Sequence, residues 1–433
     1  MKKTTGIVLA TFIVLLSATG LYAEIMLTPS ISVRGEYTDN VDRVNEDREY
    51  DYITSVMPSL TMEIRDKAIG ATLSYQPSWN HYERTEDYDY WRHLVSLQTE
   101  SQLGRHVRMT IGGSYLQSED ERDAEDPTIP TEPDYTRREG RYKYYTYAAD
   151  AGLEYQFGER DVIGMRFDYG GTENDEPTLE DSSYYRPSID FTYWFTQRWG
   201  TEFSGEYERG MFDAPENVEQ SEEFDRYFGQ GRILHQFNRQ LTGNVQYAYT
   251  LMNYDEETDD ERTHDFSSGF DYLIAQDMTL ALQVGYSIVE IRGDDNESGM
   301  SGTLDFAKMF QRGSIGIHAS SGYDYSYYDA ENLGLNYYVG AGMTADYKLS
   351  RRLSANVHAD YRYSEYKDLT PDREDDYLST GCGLSYQLLP WLSAGAGYTY
   401  SLMDSSEDDN DYRENRVFIS LTATPIHPLR LND

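Results

Sequence analysis

A single cysteine, Cys382, is all the 433-residue sequence contains, so no intrachain disulfide can brace it and a large exported chain must hold itself together by other means. Long apolar runs are scarce as well. Beyond the first 23 residues, no stretch approaches the eighteen or so consecutive apolar residues that a membrane-crossing helix requires. Basic residues are outnumbered, 37 Lys and Arg against 76 Asp and Glu. A surface of that sign repels phosphate backbones, which excludes nucleic acid as a partner. The eight histidines, at positions 81, 93, 106, 235, 264, 318, 358 and 427, show no His-x-x-x-His spacing. His264 beside Asp265, and His358 near Asp360, are pairings that chance supplies in so acidic a chain. No catalytic residue, metal ligand or cofactor is expected.

What is present is alternation. From Thr28 to Thr424 the chain repeats a strand with apolar and polar residues in turn, a tight turn, a second such strand and a longer acidic loop. Leu353, Ala355, Val357, Ala359, Tyr361 and Tyr363 fall on one parity, and Ser354, Asn356, His358, Asp360 and Arg362 on the other. That is the pattern of an all-β transmembrane antiparallel barrel, apolar toward lipid and polar toward the lumen. The mean hydropathy of −0.72 does not argue against it, because a barrel dilutes its lipid-facing residues with as many inward-facing ones and with loops. Propellers would show a repeating four-strand signature, and none is visible. At the N-terminus Lys2, Lys3, the apolar run Gly6 to Leu16 and Leu21-Tyr22-Ala23 read as a signal peptide over residues 1–23. Residues 24–433 form a single barrel domain. Cys382 shares parity with Leu378, Leu384 and Tyr386 and is expected on the lipid face.

Nine tight turns punctuate the strands: Arg65-Asp66-Lys67, Gly104-Arg105, Gly158 to Asp161, Gln197-Arg198, Asn238 to Gln240, Gln276-Asp277, Gln311 to Gly313, Ser350 to Arg352 and Leu389-Pro390. Ten longer connections lie near residues 39–50, 82–90, 118–140, 173–183, 210–222, 254–262, 291–298, 326–333, 366–376 and 403–413. Together they join about 20 strands, within a range of 18 to 22, with short turns periplasmic and long loops extracellular. Arg or Lys occupies most tight turns, whereas the acidic runs fall in the long loops. Such runs read as solvated loops, or as weak divalent-cation ligands tying loops to lipopolysaccharide. Forty-one tyrosines, clustered at strand ends such as Tyr142, Tyr144, Tyr145 and Tyr147, Tyr323 to Tyr328, and Tyr398 with Tyr400, are expected to form the interfacial girdle. The connection 118–140, with Pro127, Pro130 and Pro133 among acids, reads either as an exposed loop or as a plug folded into the barrel.

Parity assigns the lumen. Its acidic candidates include Glu36, Glu63, Glu100, Asp150, Glu154, Asp168, Asp190, Glu202, Glu206, Asp265, Asp271, Asp324, Asp346 and Asp360, and its basic ones Arg34, Arg108, Arg166, Arg232, Lys348 and Arg362. An open lumen with this excess of acids favours cations, unless the charges merely pair across neighbouring strands. Gly340, Gly342, Gly381, Gly383, Gly395 and Gly397 leave one inner stretch nearly bare. Either something packs there or the strands curve sharply.

Two end segments carry a resemblance. Leu27 to Val41 (LTPSISVRGEYTDNV) and Glu414 to Thr422 (ENRVFISLT) resemble the first and last strands of the bacterial group named "putative β-barrel porin". The resemblance implies an outer-membrane barrel of a Gram-negative bacterium, associated with exopolysaccharide or exosortase-type systems, and no catalytic residues. The tail Pro425 to Asp433 departs from the aromatic ending of many outer-membrane proteins, which places the signal for the barrel insertion machinery further in. Expected partners are outer-membrane lipid, lipopolysaccharide, that machinery, and a polysaccharide or periplasmic protein. Three functions fit: a solute or polysaccharide channel, a plugged structural or assembly barrel, and a sheath for a periplasmic electron carrier.

Overall fold

The computed structural model describes residues 23–123, 141–176, 179–213, 223–255, 260–292, 296–326, 333–367 and 372–431. The expected leader lies outside them except for Ala23. β-Branched and aromatic residues on one parity favour extended backbone, and an extended segment facing lipid must have every N–H and C=O taken up by neighbouring strands. The chain answers with β1 (Glu24–Thr38), β2 (Asp51–Arg65), β3 (Ile69–Tyr82), β4 (Tyr90–Gln102), β5 (Val107–Ser118), β6 (Tyr144–Gln156), β7 (Val162–Asn174), β8 (Asp181–Tyr193), β9 (Trp199–Asp213) and β10 (Phe224–Gln236). It continues with β11 (Leu241–Tyr254), β12 (Glu261–Ala275), β13 (Met278–Ile291), β14 (Glu297–Phe310), β15 (Gly313–Ser326), β16 (Gly334–Lys348), β17 (Leu353–Tyr366), β18 (Arg373–Leu389), β19 (Leu392–Ser405) and β20 (Tyr412–Ala423).

Each strand pairs antiparallel with the next, and β20 returns to β1 in a ladder from Ile31 opposite Ala423 to Thr38 opposite Arg416. The result is a closed barrel of twenty long strands. All nine tight turns fall where the sequence places them, and the ten longer connections lie at the other end. Strand lengths run from 12 residues in β5 and β20 to 17 in β18. The described helical turns, Glu86–Tyr88, Glu121–Asp123 and Asp408–Asn410, are single 3-10 turns in the long connections.

Side chains divide as the alternation requires. Ile31 and Val33 on β1, Phe203 on β9, Val245 on β11 and Val357 and Tyr361 on β17 are exposed on the outside, and Cys382 is exposed there with Leu384. Inward residues bond one another across strands, as in Ser30–Ser59 at 2.6 Å and Ser32–Thr422 at 2.9 Å. The bare glycine stretch is filled by its neighbours: a Cβ on Gly342 would meet His318 and Asp360, on Gly381 His358, on Gly383 Asn356, and on Gly397 Phe418.

The seam has a step. β20 ends opposite Ile31, so the lower part of β1 from Glu24 to Ser30 stands below it. The tail turns back and lays β21 (Leu429–Arg430) beside Met26 and Leu27, with Leu431 N–H donating to Ile25 O at 3.0 Å and Arg430 paired to Glu24 at 3.1 Å. In a Cys382→Ser background, Leu27→Cys and Leu429→Cys should therefore cross-link under mild oxidation. The check is a mass shift of the joined peptide after proteolysis, and no link would mean that the tail does not cover the seam.

Candidate functional site

The twenty-strand wall builds a wide polar interior, and the longer connections decide how open its outer end is. β1 and β20 present Glu36 and Glu414 inward, and both side chains are buried. Glu414 is wholly enclosed. Its carboxylate accepts from Thr38 Oγ1 at 2.7 Å, from Arg43 Nε at 3.2 Å and from Arg122 Nη2 at 2.9 Å. Arg43 belongs to the connection after β1 and Arg122 to the connection after β5. One carboxylate thus fastens two loops that enter the mouth from different parts of the rim. Arg122 also donates to Asn40 O and Val41 O, and Arg416 and Arg34 both pair with Glu36.

Asp120 is the second node. It accepts from Tyr82 at 2.7 Å, from Arg122 at 3.1 Å and from Arg141 at 3.1 Å, while Tyr144 donates to its backbone oxygen at 3.0 Å. Around these charges lie two apolar clusters, Val41, Ile53, Tyr82, Tyr88 and Tyr90, and Leu94, Leu116 and Tyr144. Arg141 stacks over the rings of Tyr82, Tyr88 and Tyr90. Asp51 holds the connection after β3 by accepting from Glu83, Arg84 and Thr85 backbone N–H groups. The described parts of the connection after β5, 119–123 and 141–143, therefore fold into the mouth, and Pro127, Pro130 and Pro133 lie outside the described residues.

Burial alone would raise the Asp120 carboxyl, but the Arg122 and Arg141 guanidiniums beside it outweigh this and hold it well below the usual carboxylate range. Burial and the Asp42 hydrogen bond push the Tyr88 phenol up to about 12. A depressed carboxyl stabilises the fold fully above its unfolded pKa, about 4, and that contribution is lost as pH falls through the lower folded value. The mouth should accordingly stay packed at pH 5 and loosen only below about pH 4. Proteolysis of the connection after β5, compared at pH 7, 5 and 3.5, checks this.

On the opposite side of the barrel a second set of inward residues meets at the same end. Phe212, Phe224 and Met252 form a buried cluster with Tyr254 and Tyr325 packed against it. Tyr325 on β15 reaches the Thr263 hydroxyl on β12, 3.3 Å away. Arg226 pairs with Glu206 at 2.6 Å and with Glu208, which Arg186 also holds at 2.9 Å.

Below the mouth the inward wall is polar and accessible. Of the residues that parity assigns to the lumen, most charges are paired: Arg108 to Glu100 at 2.9 Å, Arg166 to Asp168 at 2.9 Å and Asp150 at 3.6 Å, Arg232 to Glu202 at 3.1 Å, and Arg362 to Asp324 at 3.4 Å. Asp360 faces His318 at 3.8 Å and Asp190 accepts from Ser204 at 2.7 Å. Glu154, Asp346 and Lys348 make no ion pair among the described residues. The side chains of Glu100, Arg108 and Arg166 are 58%, 48% and 56% exposed, and with Glu63, Gln98 and Asp150 they line a recess of about 510 Å³. Among the described residues no group of three or more His, Cys, Asp or Glu is placed to hold a metal ion.

Assigning the lumen by its charges missed the mouth packing, and assigning the girdle by tyrosine clusters misplaced part of it. Tyr144 and Tyr325 point inward and pack in the mouth, so they do not belong to the interfacial ring. Tyr327 and Tyr328 lie outside the described residues. The outer ring includes the expected Tyr145, Tyr147 and Tyr323 and runs through Tyr37 and Tyr52, Tyr115 and Tyr145, Tyr147 and Tyr169, Tyr185, Tyr207 and Tyr227, and Tyr323 and Tyr337. The signal for the mouth was an apolar residue on the inward parity near an outer strand end, as at Ile53, Leu116 and Phe212.

A protein-family profile described as "Putative beta-barrel porin 2" matches residues 18–161 and 334–424, more than half of the chain. The chain belongs to this family. The two matched stretches adjoin in space, because β20 pairs with β1, and the mouth residues Glu36, Arg43, Asp120, Arg122, Arg141, Glu414 and Arg416 all fall within them. Among solved structures, the porin is similar to the siderophore receptor PirA from Pseudomonas aeruginosa, at 10% identity and a TM-score of 0.53 over 92% of this chain and 80% of that one. The ferric enterobactin receptor PfeA from Pseudomonas aeruginosa gives 9% and 0.54 over 92% and 80%. The FrpB iron transporter from Neisseria meningitidis gives 9% and 0.52 over 92% and 82%. At these identities the likeness is one of fold, that of an outer-membrane barrel. No curated relative matches the sequence.

Proposed function

We propose that this porin is a channel of a Gram-negative outer membrane whose outer mouth is narrowed by its own connections, passing polar solutes, with a polysaccharide as the most specific cargo. The observation that carries the reading is the contrast along the barrel axis. Packing is concentrated where the long connections enter, whereas the wall below keeps its carboxylates and guanidiniums accessible. Paired charges of both signs with intervening Ser and Thr hydroxyls suit hydrogen bonding to neutral or mildly charged polyols better than they suit a strong ionic filter. The mouth also favours a second reading, a plugged structural or assembly barrel.

Single-channel recording of refolded protein in a planar bilayer under a KCl gradient separates the two. The expected result is small or intermittent openings with a weak cation preference, since Glu154 and Asp346 have no basic partner among the described residues. Folded protein that never conducts, in wild type or with the mouth loosened, would retire the channel and leave the structural barrel.

A further inference from the structure

β14 and β15 part before they end. Their ladder runs from Phe310 opposite Gly313 to Gly302 opposite Ser321, yet both strands continue outward, along 297–301 and 322–326, in a ladder only with the neighbour on the other side, β13 or β16. Phenols bridge the split instead. Tyr337 donates to Met300 O at 3.1 Å, and a Cβ on Gly299 would stand 2.7 Å from the Tyr337 ring and 3.4 Å from the Tyr323 ring. Alternate residues of a strand share a face, so Tyr325 and Leu335, which stand opposite each other, lie on the same face as Tyr323 and Tyr337, the face that Ile317 and Val339 expose to the outside lower down. Leu335 is nevertheless wholly buried, and Tyr325 packs against Phe212, Phe224 and Met252, with its phenol oxygen 3.3 Å from Thr263 Oγ1 on β12. The outer ends of β15 and β16 are therefore tucked inside those of β12 to β14, and the wall overlaps itself there instead of closing.

We propose that these strand ends are a gate of the channel, exchanging the tucked position, which narrows the mouth, for one in which 322–326 zip onto 297–301 and leave the mouth wider on that side. The inference rests on the channel reading above and adds to it a moving part separate from the loops fastened by Glu414. Register selects the occupant of the β14 edge, which is a template that strand pairing satisfies. Continued outward, the ladder that ends with Gly302 opposite Ser321 sets Met300 opposite Tyr323 and Ser298 opposite Tyr325, so the chain's own β15 fits without a slip. The two positions exclude each other, because Tyr325 cannot stand beside Ser298 on the wall and beside Thr263 in the mouth at once, and mutually exclusive packings make a two-state element. Tyrosine suits both, since its ring packs in the mouth and its amphipathic character fits a membrane interface.

The test is a disulfide that holds the zipped position. In a Cys382→Ser background, Ser298→Cys and Tyr325→Cys place thiols that the continued register sets side by side, within the roughly 7 Å between Cα atoms that a disulfide tolerates, whereas the tucked position turns residue 325 toward Thr263. Mild oxidation of the full chain in liposomes should form the link, read as a joined peptide by mass spectrometry, and unheated gel mobility confirms that the barrel is folded. In planar bilayers the linked barrel should conduct about twofold more than the same preparation after reductant. Tyr325→Ala, which removes the mouth packing without a cross-link, should lengthen openings, and Tyr325→Phe, which keeps the ring, should do so less. No link in a folded barrel that conducts, or a link that leaves conductance unchanged, would overturn the gate and spare the channel. A barrel that links but conducts in neither state fails the channel reading, and the gate falls with it.

Discussion

Glu414→Ala will leave the barrel folded but its mouth unlatched. The substitution removes the carboxylate shared by Arg43 and Arg122, whose side chains are 3% and 7% exposed, and leaves Asp120 as the one acid still paired with Arg122 in a packed setting. Breaking a buried ion pair by removing one member costs about 3–5 kcal/mol, and here the connections after β1 and β5 can escape that cost by swinging outward. The wall offers no such escape, because β20 keeps its ladders to β19 and β1. Conductance should therefore rise several-fold and the connection after β5 should become protease-sensitive, with heat-modifiable gel mobility unchanged. Glu414→Gln, which retains the acceptor oxygen but not the charge, should fall between the two. Wild-type conductance in Glu414→Ala would mean that the latched loops do not obstruct the pore.

The opposite outcome, an intact mouth on a wall that cannot close, is expected of Gly269→Ala. Gly269 sits opposite Gln283, and a Cβ there would lie 2.0 Å from the backbone oxygen of Leu282 and 2.9 Å from the Cα of Gln283. Backbone cannot rotate aside as a side chain does, so β12 and β13 would have to part, breaking ladder bonds that lipid cannot replace. The variant should fail to give the compact, unheated gel form. Gly342→Ala meets only the side-chain ends of His318 and Asp360, which can move. Its cost should stay within the roughly 1–3 kcal/mol of ordinary overpacking, and melting of the two variants side by side gives the comparison.

Why the wall was legible and the mouth was not follows from how each is held. A strand's two faces are set by a period of two, which any short window displays, and the turns are marked by Gly, Asn, Asp and Arg between such windows. Nothing local marks Glu414 as the partner of Arg122, 292 positions earlier. Tyr144 and Tyr145 illustrate the difficulty: adjacent and identical in type, one is buried in the mouth and the other bonds Asp175 on the outer surface. Parity separates them, yet the strong association of tyrosine with membrane interfaces hid what the parity of Tyr144 implied. The lumen charges were similarly half-visible. Their face could be assigned by counting, but their pairing depends on the register between strands, which fixes which residues stand opposite each other.

The alternation that gives the wall two faces has a consequence for the chain before it folds. Read along the backbone, each outward apolar residue is followed by a polar one, so the unfolded polypeptide is polar on average, with a mean hydropathy of −0.72. A bilayer retains a translocating chain by its consecutive apolar residues, about eighteen in a row, and this chain offers none beyond its first segment. The greasy surface comes into being only when strands pair, so the same polypeptide can slip through one membrane as a hydrophilic thread and settle in another as an oily cylinder.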